Sequence, residues 1–157
     1  MMAFSHVAIS VSAWGVLVAS GTGTHDWRAF GVAAAASLMP DLDHPKSWLG
    51  RRLPFISYPV AALFGHRGIT HSLLAVVAAV MAWSAELGWM GPPLALGYLS
   101  HLAADALTPQ GVPLLWPIKR RFGLSLCATG GVMERLVAAA VVGAALWVLR
   151  GRLTGPV

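Results

Sequence analysis

Residues 72–90 read SLLAVVAAVMAWSAELGWM, nineteen positions in which Glu86 is the sole charge. As a helix this stretch would reach about 28 Å, close to the roughly 30 Å hydrocarbon core of a bilayer. The polar turn GHRGITHS (65–72) precedes it and Pro92-Pro93 follows it, so its ends are punctuated. Working outward, residues 3–20 (AFSHVAISVSAWGVLVAS) hold no acid, Lys or Arg. Residues 1–6 also lack the positive charge that opens a signal peptide, which favours a retained helix. Residues 29–39 form a shorter alanine-rich run that stops at Pro40, and 94–108 form a helix carrying His101 and Asp105. Between them, residues 54–65 are apolar but broken by Pro54 and Pro59, as expected of a re-entrant or interfacial segment. A last apolar helix is expected over 136–149. Its 14 residues reach only about 21 Å, so Arg135 and Arg150 would have to snorkel.

Composition agrees. Of 157 residues 57% are hydrophobic and only 11% charged, and the mean hydropathy is +0.68. Soluble domains carry about 25% charge, so too few polar groups remain to coat a water-soluble globule. One cysteine, Cys127, excludes an internal disulfide framework. The net charge of +5 does not mark a nucleic-acid binder, because the basic residues fall between apolar segments. The expected fold is all-α: a single domain over 1–157, built as a multi-pass membrane bundle of about five helices with one re-entrant or interfacial segment.

Lys46, Arg51, Arg52 and Arg67 lie in 40–71, and Lys119, Arg120, Arg121 and Arg135 in 117–135; the turns at 21–28 and 91–93 hold only Arg28. The positive-inside rule assigns 40–71, 117–135 and the N-terminus to the cytoplasm, with Arg150 and Arg152 as a mild violation. Nine of the twelve His, Asp and Glu residues then fall on that one side. His101 and Asp105 share a helix face at i,i+4 spacing and can ligate one ion, or one can orient the other. Asp41, Asp43 and His44 in PDLDHP offer two carboxylates and a nitrogen just after a helix end. His66 and His71 flank Arg67, whose planar fork suits phosphate oxygens. Thr70 is expected to cap the next helix. His6 and Glu134 are weaker ligand candidates on the same side, and Lys46 and Arg51 suit an anionic headgroup.

Histidine nitrogens with carboxylate oxygens and no thiolate suit zinc, with manganese or iron as alternatives. The number of donors allows two or three ions, and clustered ions facing phosphate are suited to phosphoester hydrolysis. In that reading Asp43 and Asp105 are catalytic through the metal, and Arg67 through the substrate's oxygens. No GxSxG, P-loop, GxGxxG or HExxH motif is present. Two other classes stay open: a regulator or scaffold with a closed structural metal shell, and a metal-ion transporter with ligands at mid-bilayer.

The strings PDLDHPKSWLGRRL, FGHRGITHSLLAV, LGYLSHLAADALTPQGVPLLWPIKRRF and MERL together resemble the bacterial inner-membrane metal-dependent hydrolase family of the YdjM type. The resemblance runs from about His6 to Arg135. It implies a hydrolase of the inner membrane, and some members are described as binding the SOS repressor. It also implies a distant similarity to zinc-dependent phospholipase C and the P1-type nucleases, helical enzymes with three clustered zincs. Carried over, their early histidine falls at His6, the bridging aspartate at Asp41 or Asp43, the central histidine at His66 or His71, and the HxxxD pair at His101 and Asp105. Their later HxxxE pair has no counterpart; Glu134 is the one residue that could replace its glutamate. The expected substrate is a phospholipid or other lipid-linked phosphoester at the cytoplasmic leaflet, with no nucleic acid as partner.

Overall fold

The computed structural model describes residues 1–118 and 120–154, with backbone alone for 83–87 and 152–154. Lys119, expected in the basic patch, and the side chains of Glu86 and Arg152 lie outside the described residues. Among the described residues six α-helices run in chain order: α1 (Ala3–Ala19), α2 (Trp27–Ala36), α3 (Pro54–Phe64), α4 (Leu73–Leu87), α5 (Gly91–Ala106) and α6 (Val132–Thr154). Short 3₁₀ turns occupy Pro40–Asp43, Ile69–His71 and Gly88–Met90. Among the described residues there is no strand, only one isolated bridge pair, Val112 with Phe122.

Local chemistry sets the ends. Asp26 accepts a hydrogen bond from the Arg28 amide at 2.9 Å and starts α2 at Trp27, two residues before the alanine run. Pro54 sits in the first turn of α3, where its missing N–H costs no bond, so the proline-rich segment is a helix despite Pro59. The cap of α4 is Ser72, whose hydroxyl accepts from the Ala75 amide at 3.3 Å. Thr70, expected to fill that role, instead turns its hydroxyl to Asp43. The last helix is longer than its apolar run. It includes Arg135 and Arg150 and, at 23 residues, reaches about 35 Å, so the expected shortfall disappears.

Among the described residues only Val132–Gly151 is long and apolar enough to cross a membrane, with mean hydropathy 1.9 and 17% of it buried. The apolar helix Ala3–Ala19 and the apolar stretch Leu73–Ala82 are shorter than a full span. The multi-pass expectation therefore rests on helices that need partners, snorkelling flanks or a locally thinned bilayer to span.

Packing centres on α5, which lies against α1, α2 and α4, while α6 packs on α1. The closest seam joins α2 and α5. A Cβ on Gly97 would fall 2.3 Å from the Ala33 carbonyl oxygen, so only glycine permits the contact. That same carbonyl accepts from Ser10 of α1 at 2.9 Å, tying three helices at one point. Trp14, Val18, Ala29 and Ala33 form the apolar cluster beside it. The start of α1, the end of α2, the start of α4 and the end of α5 all meet at one end of the bundle, where the polar residues gather.

Candidate metal centre

Five buried side chains meet at this end. His6 comes from the first turns of α1, Asp43 from the turn after α2, His71 from the turn before α4, and His101 and Asp105 from the last turns of α5. All are at most 1% exposed. Asp41, from the same turn as Asp43, is at their edge, its side chain 17% exposed.

The ring nitrogens define what the cluster can bind. His101 Nδ1 lies 2.6 Å from the Ser37 carbonyl oxygen. A carbonyl only accepts, so Nδ1 carries the proton and Nε2 keeps its lone pair. His71 Nδ1 lies 3.1 Å from Asp43 Oδ2, which fixes the same tautomer in a second ring. The two Nε2 atoms then face each other at 3.3 Å. Two lone pairs at that distance repel unless a proton or a metal cation lies between them. Tetrahedral zinc with bonds of about 2.05 Å holds its ligands about 3.3 Å apart. Asp105 Oδ2 completes the group, 3.6 Å from His71 Nε2 and 3.7 Å from His101 Nε2. A second group combines His6, Asp41 and His101. His6 is fully buried and stacks on His101 at 3.7 Å; its Nδ1 has no hydrogen-bond partner, and its Nε2 approaches Asp105 Oδ1 only to 3.4 Å. An orphaned imidazole beside carboxylates fits a missing ligand bond. Nitrogen and oxygen donors without sulfur suit zinc, manganese or iron.

Asp43 serves the site differently from the expected direct ligand. Its Oδ1 lies 2.9 Å from His66 Nδ1, and its Oδ2 accepts from the Arg67 amide at 3.0 Å and from Thr70. Burial alone would raise its pKa; the hydrogen bonds from His66, His71 and Thr70 outweigh this and hold the carboxyl well below its ordinary range. Asp43 is thus a charged bracket that orients two imidazoles. Asp41 lacks those donors, and burial pushes its carboxyl above the ordinary range.

Arg67 has φ 56°, a left-handed conformation uncommon outside glycine. That turn sends its amide to Asp43 and its guanidinium to Asp105 Oδ2 at 2.7 Å, Thr108 at 3.2 Å and the Gly111 carbonyl at 2.9 Å. Most of its donors are engaged by protein, so it holds Asp105 more directly than it could hold a substrate. The terminal amine of Met1 also bonds Asp105. His66, with a side chain 43% exposed, packs edge-on to His44 at 4.4 Å. His44 Nδ1 accepts from the Lys46 amide at 3.1 Å, and burial lowers its pKa. With Asp41, Arg67, Lys46 and Arg51 these histidines line a cavity of about 510 Å³ that opens beside the cluster. Glu134, expected as a ligand, belongs to neither group. Its Oε1 accepts from Ser5 at 2.5 Å and the Met2 amide at 2.7 Å, and its Oε2 from the Gly130 amide at 2.6 Å. Those bonds clasp the start of α1 to the start of α6.

Ser37, Thr70 and Thr108 were not among the expected site residues. The signal for Thr70 was its place between His66 and His71; Ser37 acts through its carbonyl, which no side-chain pattern reveals.

A family model described as YdjM inner membrane protein matches residues 1–155. The chain belongs to this family. It is similar to inner membrane protein YdjM of Escherichia coli (strain K12), 46% identical over 130 residues, and to the protein of that name in Shigella flexneri at the same identity. Each match covers 77% of this chain and 66% of the relative, so the chain spans just under two thirds of their length. It is also 38% identical over 109 residues to the uncharacterized protein YvsG of Bacillus subtilis (strain 168), covering 68% of each. No solved structure matches.

Proposed function

We propose that the chain is a multi-pass inner-membrane hydrolase that uses metal to cleave a lipid-linked phosphoester at the cytoplasmic leaflet. The family description supports the membrane, and the positive-inside count supports the side. One observation carries the metal: the His71 and His101 Nε2 atoms meet at 3.3 Å with both Nδ1 atoms already committed. The proposed ligands are His71, His101 and Asp105 for one ion, with His6 and Asp41 for a second. Because His101 has only Nε2 to give, one or two ions fit better than three.

When bound, such an ion lowers the pKa of water and neutralises charge on phosphate. The chain's own residues supply the rest. Lys46 and Arg51 attract the anionic head into the cavity. Asp43 holds His66 through Nδ1, which leaves Nε2 as the ring atom free to move a proton to or from the reacting oxygens. Arg67 keeps Asp105 aimed. The same donor chemistry is what a distant kinship with zinc phospholipase C and P1-type nucleases, expected from the sequence, would require.

The test is metal content by inductively coupled plasma mass spectrometry on detergent-purified protein beside Asp105→Ala. It is followed by a phosphoester screen with phosphatidic acid, phosphatidylglycerol and polyprenyl phosphate. One or two zinc or manganese ions per chain, lost in the variant, with turnover of at least one lipid, is the expected result. Protein that takes up no metal when it is added would sink the reading.

A further inference from the structure

A second cavity, of about 670 Å³, lies between α1 and α6, outside the metal cluster. Phe4, Ala8, Ala138, Val142, Gly143 and Leu146 give it apolar walls, and Glu134 and Arg135 stand at one end. Its volume is in the range of small-molecule sites. From Glu134 to Leu146 it follows α6 for twelve residues, about 18 Å. That is close to the depth of one leaflet, half of the roughly 30 Å core. Met2 and Phe4 wall both this groove and the polar cavity containing Asp41, Lys46, Arg51 and His66. One end of the apolar groove therefore adjoins a chamber lined by Lys46, Arg51, His44, His66 and Asp41.

We propose that the α1–α6 groove seats one hydrocarbon chain of an anionic membrane lipid whose phosphate enters the polar cavity beside it. This rests on the phosphoesterase reading and names its substrate as an amphiphile held at both ends. Charge supports the lipid as occupant. Lys46 and Arg51 in the cavity and the exposed Arg135 at the groove's mouth favour an anionic head. Glu134 does not oppose it, because its oxygens are engaged by Ser5, Met2 and Gly130. A helix from a second copy would cover the apolar wall without reaching the polar cavity on the other side of Met2 and Phe4.

The groove can be filled without disturbing the fold, since a Cβ on Gly143 meets no atom within 4 Å. Full-length protein would be placed in phosphatidylcholine nanodiscs doped with phosphatidic acid bearing a mid-chain diazirine, photolysed, and mapped by peptide mass spectrometry. Adducts should concentrate at Ala138, Val142 and Leu146. Gly143→Phe, and independently Ala139→Trp, should cut them at least fivefold. Gly31→Phe, at an exposed α2 position equally open around its Cβ, should leave them within twofold. Adducts spread evenly over α4 and α6, or unchanged in both filling variants, would overturn the proposal. So would a dimer seen by mass photometry that Gly143→Phe dissociates while labelling stays constant. Labelling requires no turnover, so an inactive protein that still labels the groove would separate this inference from the phosphoesterase reading.

Discussion

Two buried carboxylates at the same end of the bundle, Asp43 and Glu134, have opposite employments. Each has both oxygens occupied. Asp43 is surrounded by His66, His71, Thr70 and the Arg67 amide. Glu134 is surrounded by Ser5 and the amides of Met2 and Gly130. Around Asp43 the donors are imidazoles whose other nitrogen remains available, so its charge is relayed into ligand geometry. Around Glu134 the donors end at backbone, so its charge only fastens α1 to α6. Burial and residue type do not distinguish a site from a clasp; the partners' unused atoms do.

The contrast can be broken most sharply at the relay's far end. His71→Ala or His101→Ala should reduce bound metal more than tenfold in an elemental assay, because each removes an Nε2 from the same group. Retention of stoichiometric metal in both would reduce the imidazole pair to packing. Asp43→Asn should weaken metal affinity by about 10–100-fold in a competitive chelator titration, the range for outer ligand-orienting groups. Glu134→Gln in the same titration should shift it less than twofold, and equal losses would erase the distinction. Glu134→Ala should instead appear in stability. Three donors, two of them amides, lose their acceptor, which costs about 1–3 kcal/mol in reversible unfolding, with metal still bound. The smallest effect is expected at the rim. Lys46→Ala or Arg51→Ala should raise KM for an anionic lipid about fivefold, from roughly 1 kcal/mol per surface cation, and the difference should shrink at high salt.

Much of this was legible in the chain because the candidate ligands sit at helix ends, which Pro40 and the glycines around His66 mark. His6, Asp41, His71, His101 and Asp105 were all named from that pattern and do meet. Their division of labour was not legible. One residue separates Asp41 from Asp43, and only the approach of His66 and His71 from the next turn makes Asp43 a bracket and leaves Asp41 without those donors. Glu134 shares that end-of-helix logic but belongs to neither group, because two of its three partners, Met2 and Ser5, come from the start of α1, more than a hundred residues away. The length of α6 was underestimated since hydropathy stops at Arg135 and Arg150, whereas a helix continues wherever long cationic side chains can lean outward.

At the α2–α5 seam, Ala33 faces Gly97 and, one turn further on, the Ser37 carbonyl faces His101, at the same offset of 64 residues. Contact there is backbone on backbone, so no side chain can yield if one helix slides along the other. Shear between these two rods would be felt first as a lost Nδ1 bond and an imidazole released to its other tautomer. The close seam thereby sets the position of a single proton, and nitrogen-15 shifts of His101 in Gly97→Ala, whose added Cβ must push the two helices apart, would read that link directly.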